Sequence, residues 1–209
     1  MAVRDTDRRS SVKHEAILRA ATRIFLRDGY ARASVAAIAT GAGVGKETLY
    51  KHFASKEGLF LAAVDHARAA AGLGADGGAG LIVDTGDVTA DLPATGERLV
   101  RALLAPEVAA LHRLTIAEHG HHPQLQRYWR DGDDTQVHLD DAMADYFATC
   151  DRRGDLAVPD PALAASHFTT LLAAHARVRS LYGSQPLTDD EIRTIAKDTA
   201  ELFLRAYGR

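Results

Sequence analysis

The segment SVAAIATGAGVGKETLYKHF, residues 34–53, decides the fold of this chain. Ser34 is a good N-cap for a short helix in which apolar residues repeat at helical spacing. Three glycines between positions 41 and 45 then break this helix and allow a tight turn. A second short helix follows from about Lys46 to His52. Two short helices joined by a glycine turn predict a helix-turn-helix motif.

The second helix of this pair has one apolar side and one polar side. Leu49 and Phe53 are four residues apart and point to the buried side. A helix this short gains no stability from many exposed polar groups, so these groups indicate a docking partner. The geometry of the motif would place the N-terminal half of this helix in a major groove and its flanks beside phosphates. The projecting side chains are Lys46, Glu47, Thr48, Tyr50, Lys51 and His52.

A longer helix is predicted on each side of this pair. Between Lys13 and Asp28, apolar residues recur every three or four positions, which indicates an amphipathic helix that ends at Gly29. Residues 1–10 are expected to form a disordered arm. After the pair, Ser55 is placed to cap the next helix.

Residues 69–96 differ in composition from the helices around them. They are rich in Gly, Ala, Asp and Thr, and we interpret them as the end of a helix followed by a long, mobile connection. The apolar residues 81–83 suggest a short strand, but the sequence offers no partner strand. Helical patterns return afterwards, with starts at or beside Pro106, Pro123, Pro161 and Thr188. The predicted fold class is all-α, with about nine helices.

Composition limits the class of protein. The chain has 209 residues, which is enough for a compact domain and a smaller second one. Its single cysteine, Cys150, argues against a disulfide framework and a cysteine-rich zinc site. The charged N-terminal residues do not resemble a signal peptide, and no apolar run approaches the ~20 residues that cross a bilayer. We expect a cytoplasmic protein with no membrane partner.

The net charge of −3 conceals an uneven distribution. Residues 1–60 contain eleven Lys and Arg against six Asp and Glu, a balance of +5, and the remainder contains 14 against 22, a balance of −8. A basic first part on an acidic body indicates that the first part meets a polyanion. Chance clustering of solvated charge is the alternative explanation.

Residues 13–64 resemble the TetR family of transcriptional regulators. The resemblance is carried by the elements SV..IA, AGV and TLYKHF.SKEGL, in this order and with the family's spacing. An all-helical remainder in a chain of about 200 residues is also typical of the family. Weaker similarity to one branch of the family's regulatory domain extends over AEHGHHPQL and RRGDL..PDP.

The resemblance assigns DNA contacts to individual residues. It implies that Ser34 and Lys56 contact phosphates and that Tyr50 lies against the DNA backbone or a thymine methyl group. The residues that would share base and backbone contacts are Lys46, Thr48, Lys51 and His52.

Gly45 and Glu47 depart from the family pattern. Gly45 stands where serine or threonine is usual, so one hydroxyl contact to phosphate is lost. Glu47 stands where a small residue is usual. Its carboxylate either accepts a hydrogen bond from a cytosine amino group, or it faces solvent or pairs with Lys51 four residues later.

The resemblance also implies a two-part organisation and a homodimer. Residues 1–56 are expected to form the arm and DNA-binding domain, and residues 57–209 the ligand-binding and dimerisation domain. Two helices, at about 161–182 and 189–207, carry apolar residues on more than one side. This surplus predicts a four-helix interface between two chains through residues 161–207. Burial of both sides within one chain is the alternative.

Ten histidines are many for this length, and three interpretations remain open. They are scattered surface and core residues, or they line an effector pocket, or some of them bind a divalent metal. Glu118 and His121 form one Glu-x-x-His motif, whereas a di-iron bundle needs two, so we predict neither a metal ligand set nor a cofactor. The candidate effector-binding residues are His119, His122, Trp129, His138, His167, Phe168, Leu171 and His175.

Two other classes of protein were weighed. An enzyme is disfavoured because the sequence lacks a nucleophile elbow, a phosphate-binding glycine loop after a strand, and an H-E-x-x-H motif. A helical interaction module is disfavoured by the basic first part. We predict a ligand-responsive transcriptional repressor that binds palindromic operator DNA as a dimer and is released by a small-molecule effector. Metal-responsive regulation through the histidines is the alternative.

Overall fold

The computed structural model describes residues 2–74, 78–122, 125 and 134–209, with side chains for 11–74, 78–122, 125 and 139–209. These residues form nine α-helices, one short 3-10 helix at Ala79–Leu81 and no strand, which confirms the predicted all-α class. The helices are α1 Ala2–Asp28, α2 Val35–Gly41, α3 Lys46–His52, α4 Lys56–Ala70, α5 Val88–Leu103, α6 Pro106–Glu118, α7 Asp134–Arg153, α8 Pro161–Arg179 and α9 Asp189–Tyr207.

By its internal contacts the chain divides into two compact units. The first comprises Met1–Ala67 and Ala110–Asp131, and the second comprises Arg68–Ala109 and Gly132–Arg209. Helices α4 and α6 each belong partly to one unit and partly to the other. The assignment of DNA binding to residues 1–56 and of effector binding to 57–209 concerns function and stays a prediction.

Helix α1 is the central support of the first unit, and it buries an apolar stripe that includes Ile17, Ala21 and Phe25. It ends at Gly29 as predicted, where φ is +78° and the amide donates to the Phe25 carbonyl at 2.9 Å. A left-handed residue after the last turn favours glycine because a Cβ would be strained there. Tyr30 then folds back and stacks on Phe25 at 5.9 Å between ring centroids.

The predicted disordered arm at residues 1–10 is wrong, because α1 begins at Ala2. The segment has helix-forming Ala and Arg residues, and its aspartates at 5 and 7 lie near the N-terminal end, where the helix dipole favours negative charge. The helix was not predicted to extend this far because no apolar stripe precedes Lys13.

The predicted connection at 69–96 is too long: α4 ends at Ala70 as expected, but residues 88–96 belong to a helix. α5 already begins at Val88, and Asp87 caps it by accepting from the amides of Thr89 and Ala90. Pro93 lies inside this helix near its start, so the prolines and glycines that suggested a loop belong partly to a helix. Residues 81–83 pair with no strand, and the Val83 amide donates to Thr95 Oγ1 at 2.9 Å.

Asp91 on α5 fixes the segment that precedes this helix. Its carboxylate is almost fully buried and accepts from the Thr85 amide at 2.8 Å and from the Thr85 hydroxyl at 2.7 Å. We expect Asp91→Ala to lower the free energy of unfolding by about 2–3 kcal/mol, since it removes two hydrogen bonds from Thr85 to a buried charged group. Chemical denaturation measures this, with the exposed Asp141→Ala as the control. Equal stability of the two variants would contradict the role.

The second unit is built from α5, α7, α8 and α9 around one apolar core. Phe147, Phe168 and Phe203 meet at its centre, with ring centroids 4.5 Å apart for Phe147 and Phe203. The predicted caps are confirmed: Asp160 caps α8 through the Leu163 amide, and Thr188 with Glu191 forms a capping box on α9.

α8 ends at Arg179 and not at Gly183, which corrects the predicted length of this helix. Leu181 and Tyr182 both have positive φ, a conformation that non-glycine residues adopt at a cost. Hydrogen bonds hold this corner, including those from the Gln185 amide to the Ser180 carbonyl at 3.0 Å and from the Gly183 amide to Ser180 Oγ at 2.8 Å. The helical spacing of apolar residues continues past Arg179, but the helical backbone ends there.

Candidate nucleic-acid interface

Helices α2 and α3 form the predicted helix-turn-helix. Ser34 caps α2, with Oγ accepting from the Ala37 amide at 3.5 Å. The turn closes through the Val44 amide, which donates to the Ala39 carbonyl at 3.0 Å. Gly43 has φ of +68° in this turn, so the glycine is required for its conformation. The angle between the helices is therefore fixed by local bonding as well as by packing.

Two buried anchors hold α3 in place. Leu49 is 1% exposed and Phe53, directly after the helix, is 6% exposed, as the four-residue spacing predicted. The His14 ring from α1 stacks on Phe53 at 4.9 Å between centroids, and it meets His52 edge-on at 5.6 Å. A short helix fixed at its middle and at its C-terminal end in this way presents its remaining side chains in a defined orientation.

The other face of α3 carries the polar residues. Lys46, Glu47, Tyr50 and Lys51 are exposed, and Tyr50 retains 52% of its accessible surface although its ring is largely apolar. Thr48 and His52 are half-buried, so they project less than the sequence pattern suggested. The exposed side of α3 is thus narrower and centres on Tyr50.

The two atypical positions have distinct local structures. Gly45 is the N-cap residue of α3 and makes no side-chain capping bond. Glu47 lies on the first turn, and its carboxylate pairs with Lys51 Nζ at 3.2 Å. The structure therefore shows the i,i+4 ion pair, which was one of the alternatives for Glu47. Both side chains are highly exposed, so this pair adds little to stability.

We expect Glu47→Ala to strengthen binding to random-sequence DNA by about 2- to 5-fold, because it removes a phosphate-repelling charge and frees Lys51. Fluorescence anisotropy at several salt concentrations measures this change. Glu201→Ala on α9 removes a similar i,i+4 partner, of Lys197 at 3.7 Å, and serves as the control. Unchanged or weaker binding by Glu47→Ala would show that Lys51 is not a phosphate contact.

Lys56 follows the Ser55 cap, whose Oγ accepts from the Gly58 amide at 3.0 Å. Its ammonium donates to the Ala31 carbonyl at 2.9 Å and lies 4.9 Å from the centre of the Tyr30 ring. Desolvation lowers the pKa of Lys56, while the negative charge of Glu118 opposes this effect. The position of a lysine beside a capped helix was predictable, but the contact with Ala31 was not.

The sequence did not predict that His14, His52 and His66 lie close to one another. Burial lowers the pKa of His14, and the neighbouring His52 and His66 lower it further. These three residues come from α1, α3 and α4, so no local spacing could have brought them together. A protonated imidazole at position 14 is thus disfavoured, which suits its role as a stacking partner of Phe53.

The candidate effector-binding residues fall into several places. His119 is exposed and His122 half-buried in the first unit, while Phe168 lies in the core of the second. His167, Leu171 and an edge of the same Phe168 line an open groove of about 200 Å³ with Thr199, Leu202, Phe203, Ala206 and Tyr207. His175 is exposed on the same helix. Trp129 and the side chain of His138 lie outside the described residues. Their grouping as one pocket stays a prediction.

The metal alternative gains no support from the described part of the chain. His122 Nε2 lies 3.4 Å from a Glu118 carboxylate oxygen, but no three His, Cys, Asp or Glu side chains among the described residues are placed to hold an ion. None of the described helices is both long and apolar enough to cross a membrane.

Comparison with known proteins agrees with this geometry. Residues 17–63 match the model of bacterial regulatory proteins of the tetR family, and residues 90–209 match the C-terminal domain of AefR-like transcriptional repressors. No curated protein matches the chain in sequence.

Solved structures extend the similarity to nearly the whole chain. A protein described as a TetR-family regulator from Mesorhizobium loti is 31% identical, with a TM-score of 0.82 over 96% of this chain and 99% of the other. A TetR-family regulator from Pseudomonas syringae is 24% identical, with a TM-score of 0.71 over 93% and 96%. The flavonoid-responsive regulator FrrA is 24% identical, with a TM-score of 0.70 over 94% and 97%. The chain described here belongs to the TetR family of transcriptional regulators.

Proposed function

We propose that this protein is a ligand-responsive repressor that binds palindromic operator DNA as a homodimer and is released by a small-molecule effector. The observation that carries this proposal is the exposed face of α3, where Lys46, Tyr50 and Lys51 project from a helix anchored by Leu49 and Phe53. Side chains so oriented suit base edges and phosphates in a major groove. Ser34 and Lys56 are proposed as flanking phosphate contacts, with Gly45, Glu47, Thr48 and His52 in the same interface.

Dimerisation is proposed through α8 and α9. These two helices and the corner between them expose six large apolar residues, each between 41% and 64% accessible: Leu163, Leu171, Val178, Leu181, Tyr182 and Leu202. An apolar surface this extensive is costly in water and typical of a protein interface. A two-fold symmetric dimer presents two copies of α3, and these match two half-sites of a palindrome.

A buried hydroxyl in the second unit supports an effector site there. Tyr146 is 5% exposed, and its Oη has no hydrogen-bond partner among the described residues. The Cys150 thiol lies beside it, but sulfur is a weak acceptor and no bond of normal geometry forms. An unsatisfied buried hydroxyl costs about 1–3 kcal/mol, which an effector with an acceptor oxygen or nitrogen would recover. Tyr146 is proposed to orient the effector.

Release follows from differential binding. An effector that binds the non-DNA-binding conformation more tightly lowers the DNA affinity by the ratio of its two affinities. No step in this cycle makes or breaks a covalent bond, so the protein is proposed to be a regulator and not an enzyme. It would act where the operator DNA lies, in the cytoplasm.

The proposal is tested by binding the purified protein to DNA from upstream of its own gene. We expect a specific complex of one dimer per site, whose association constant falls steeply with salt as phosphate counterions are released. A scrambled duplex of the same composition is the control. Equal affinity for the two duplexes at 150 mM salt would contradict operator recognition.

A further inference from the structure

Tyr30 is the meeting point of several elements of the first unit. Its ring stacks on Phe25 and meets Phe60 edge-on at 5.1 Å between centroids. The Lys56 ammonium lies over the same ring at 4.9 Å, a distance at which a cation is attracted to the π system. Tyr30 is only 6% exposed, so its position is set by these neighbours.

The segment that follows α6 supplies the remaining neighbour. His122 meets Tyr30 at 4.7 Å between ring centroids, with the rings at 73°. Its Nε2 lies 3.4 Å from a carboxylate oxygen of Glu118, and these two side chains are only 29% and 17% exposed, respectively. Glu118 also acts electrostatically on both Lys56 and Tyr30. A basic residue of the DNA-binding part is therefore under the influence of an acid from residues 110–131.

These contacts engage the Lys56 ammonium, the same group that is proposed to bind a DNA phosphate. The Lys56 ammonium donates to the Ala31 carbonyl and lies over the Tyr30 ring, and these two contacts favour its inward position. Desolvation there lowers the pKa of Lys56, and the charge of Glu118 offsets part of this effect. A phosphate contact requires this ammonium to point outward to the DNA. The inward position and the phosphate contact therefore compete for one side chain.

We propose that Glu118 and His122 are positioning residues for DNA binding, and that they tune operator affinity by holding Lys56 against Ala31 and Tyr30 in competition with phosphate. His122 supports the Tyr30 ring below the ammonium, and Glu118 supplies the attracting charge. This inference rests on the proposed function, because it takes Lys56 to be a phosphate contact.

The position of Glu118 makes this hold open to regulation. Glu118 is the last residue of α6, and α6 begins at Pro106 among residues assigned to the second unit. The strength of the hold therefore depends on where the last turn of α6 places the Glu118 carboxylate within the first unit. Stronger attraction of Lys56 to its protein neighbours weakens its contact with phosphate, and weaker attraction leaves Lys56 available to DNA.

The first test measures operator affinity and its salt dependence. We expect Glu118→Gln to bind operator about 2- to 5-fold more tightly for each DNA-binding domain of the dimer. We expect the salt slope to stay the same, because Lys56 contacts phosphate in both complexes and only the cost of freeing it changes. Glu57→Gln is the matched control, since it removes an equal charge that also raises the pKa of Tyr30. An equal gain in affinity for Glu57→Gln would overturn the proposal.

A double-mutant cycle separates this mechanism from a general charge effect. In the Lys56→Gln background, Glu118→Gln is expected to leave affinity and salt slope unchanged, because the competed group is gone. The same gain in both backgrounds would overturn the proposal. His122→Phe, which keeps an aromatic ring against Tyr30, is expected to retain the affinity of the unaltered protein more closely than His122→Ala. Equal affinities for these two variants would overturn the role of His122.

A measurement without DNA distinguishes this inference from the proposed function. Reductive methylation followed by mass spectrometry reports how accessible each lysine is. We expect Lys56 to react at least about twofold faster in Glu118→Gln, with Lys197 unchanged as an internal standard. Unchanged labelling of Lys56 would overturn the hold. If Lys56 is labelled faster but the protein shows no specific operator binding, Glu118 does restrain Lys56. The proposed function, and with it the tuning of operator affinity, would then be rejected.

Discussion

Tyr50→Ala is expected to weaken operator binding by at least about 30-fold while leaving the dimer folded. Tyr50 lies in the middle of the exposed face of α3 and keeps 52% of its surface accessible, so its loss removes contact area without opening the core. One well-placed contact to a base or to the DNA backbone contributes about 1–3 kcal/mol. Because both DNA-binding domains of a dimer carry the substitution, the loss of binding free energy is doubled and reaches about 2–6 kcal/mol.

Two further substitutions separate the parts of this contact. Tyr50→Phe keeps the ring, and we expect it to retain most of the affinity unless the hydroxyl reaches a phosphate. Lys51→Gln is expected to lower the magnitude of the salt slope by about 0.9 per head. Lys197→Gln on α9 also removes a lysine from an i,i+4 pair and is the control. Electrophoretic mobility shift and circular dichroism measure binding and folding. Full operator affinity in Tyr50→Ala would show that α3 is not the recognition helix.

Leu171→Asp combined with Val178→Asp is expected to convert the protein to a folded monomer. These residues of α8 are 41% and 64% exposed in the single chain, so aspartate there costs the fold of one chain little. At an apolar interface between two chains, four buried carboxylates per dimer would each lack a partner, and desolvating them outweighs the apolar contacts. The expected loss of dimer affinity is at least about 100-fold.

Loss of the dimer should also abolish tight operator binding. A single head gains no benefit from the second half-site, because the two binding events are no longer linked. Sedimentation velocity measures the oligomeric state, and the half-exposed Ile116→Asp in the first unit is the control. A stable dimer of the α8 double variant would place the interface elsewhere on the chain.

The sequence predicted those parts of the fold that depend on local bonding. The structure shows this for the caps at Ser34, Asp160 and Thr188, the stop at Gly29 and the glycine turn at 43, which are all decided by residues within five positions of one another. The same locality explains why Leu49 and Phe53 were identified as anchors from their spacing alone.

Features that depend on tertiary packing were not predictable in this way. The start of α5 was hidden because Pro93 and nearby glycines are also typical of loops, whereas the buried Asp91 that fixes this segment gives no local signal. The hold on Lys56 joins residues 25 positions apart, and the contact of Tyr30 with His122 spans over 90 positions. Histidine positions in the sequence indicated neither which of them stack nor which stay exposed.

The two-segment makeup of the first unit has a practical consequence for protein engineering. A fragment that ends at Ala67 would omit Leu111, Thr115 and Leu125, which are among the most completely buried residues of the chain and belong to that unit. A chimeric regulator can be assembled by fusing the N-terminal part of one protein to the remainder of another. For this chain, such a swap would join the donor's helix-turn-helix to a foreign 110–131 segment. Transplanting operator specificity intact therefore calls for moving both pieces, or for altering only the exposed residues of α3 within the native chain.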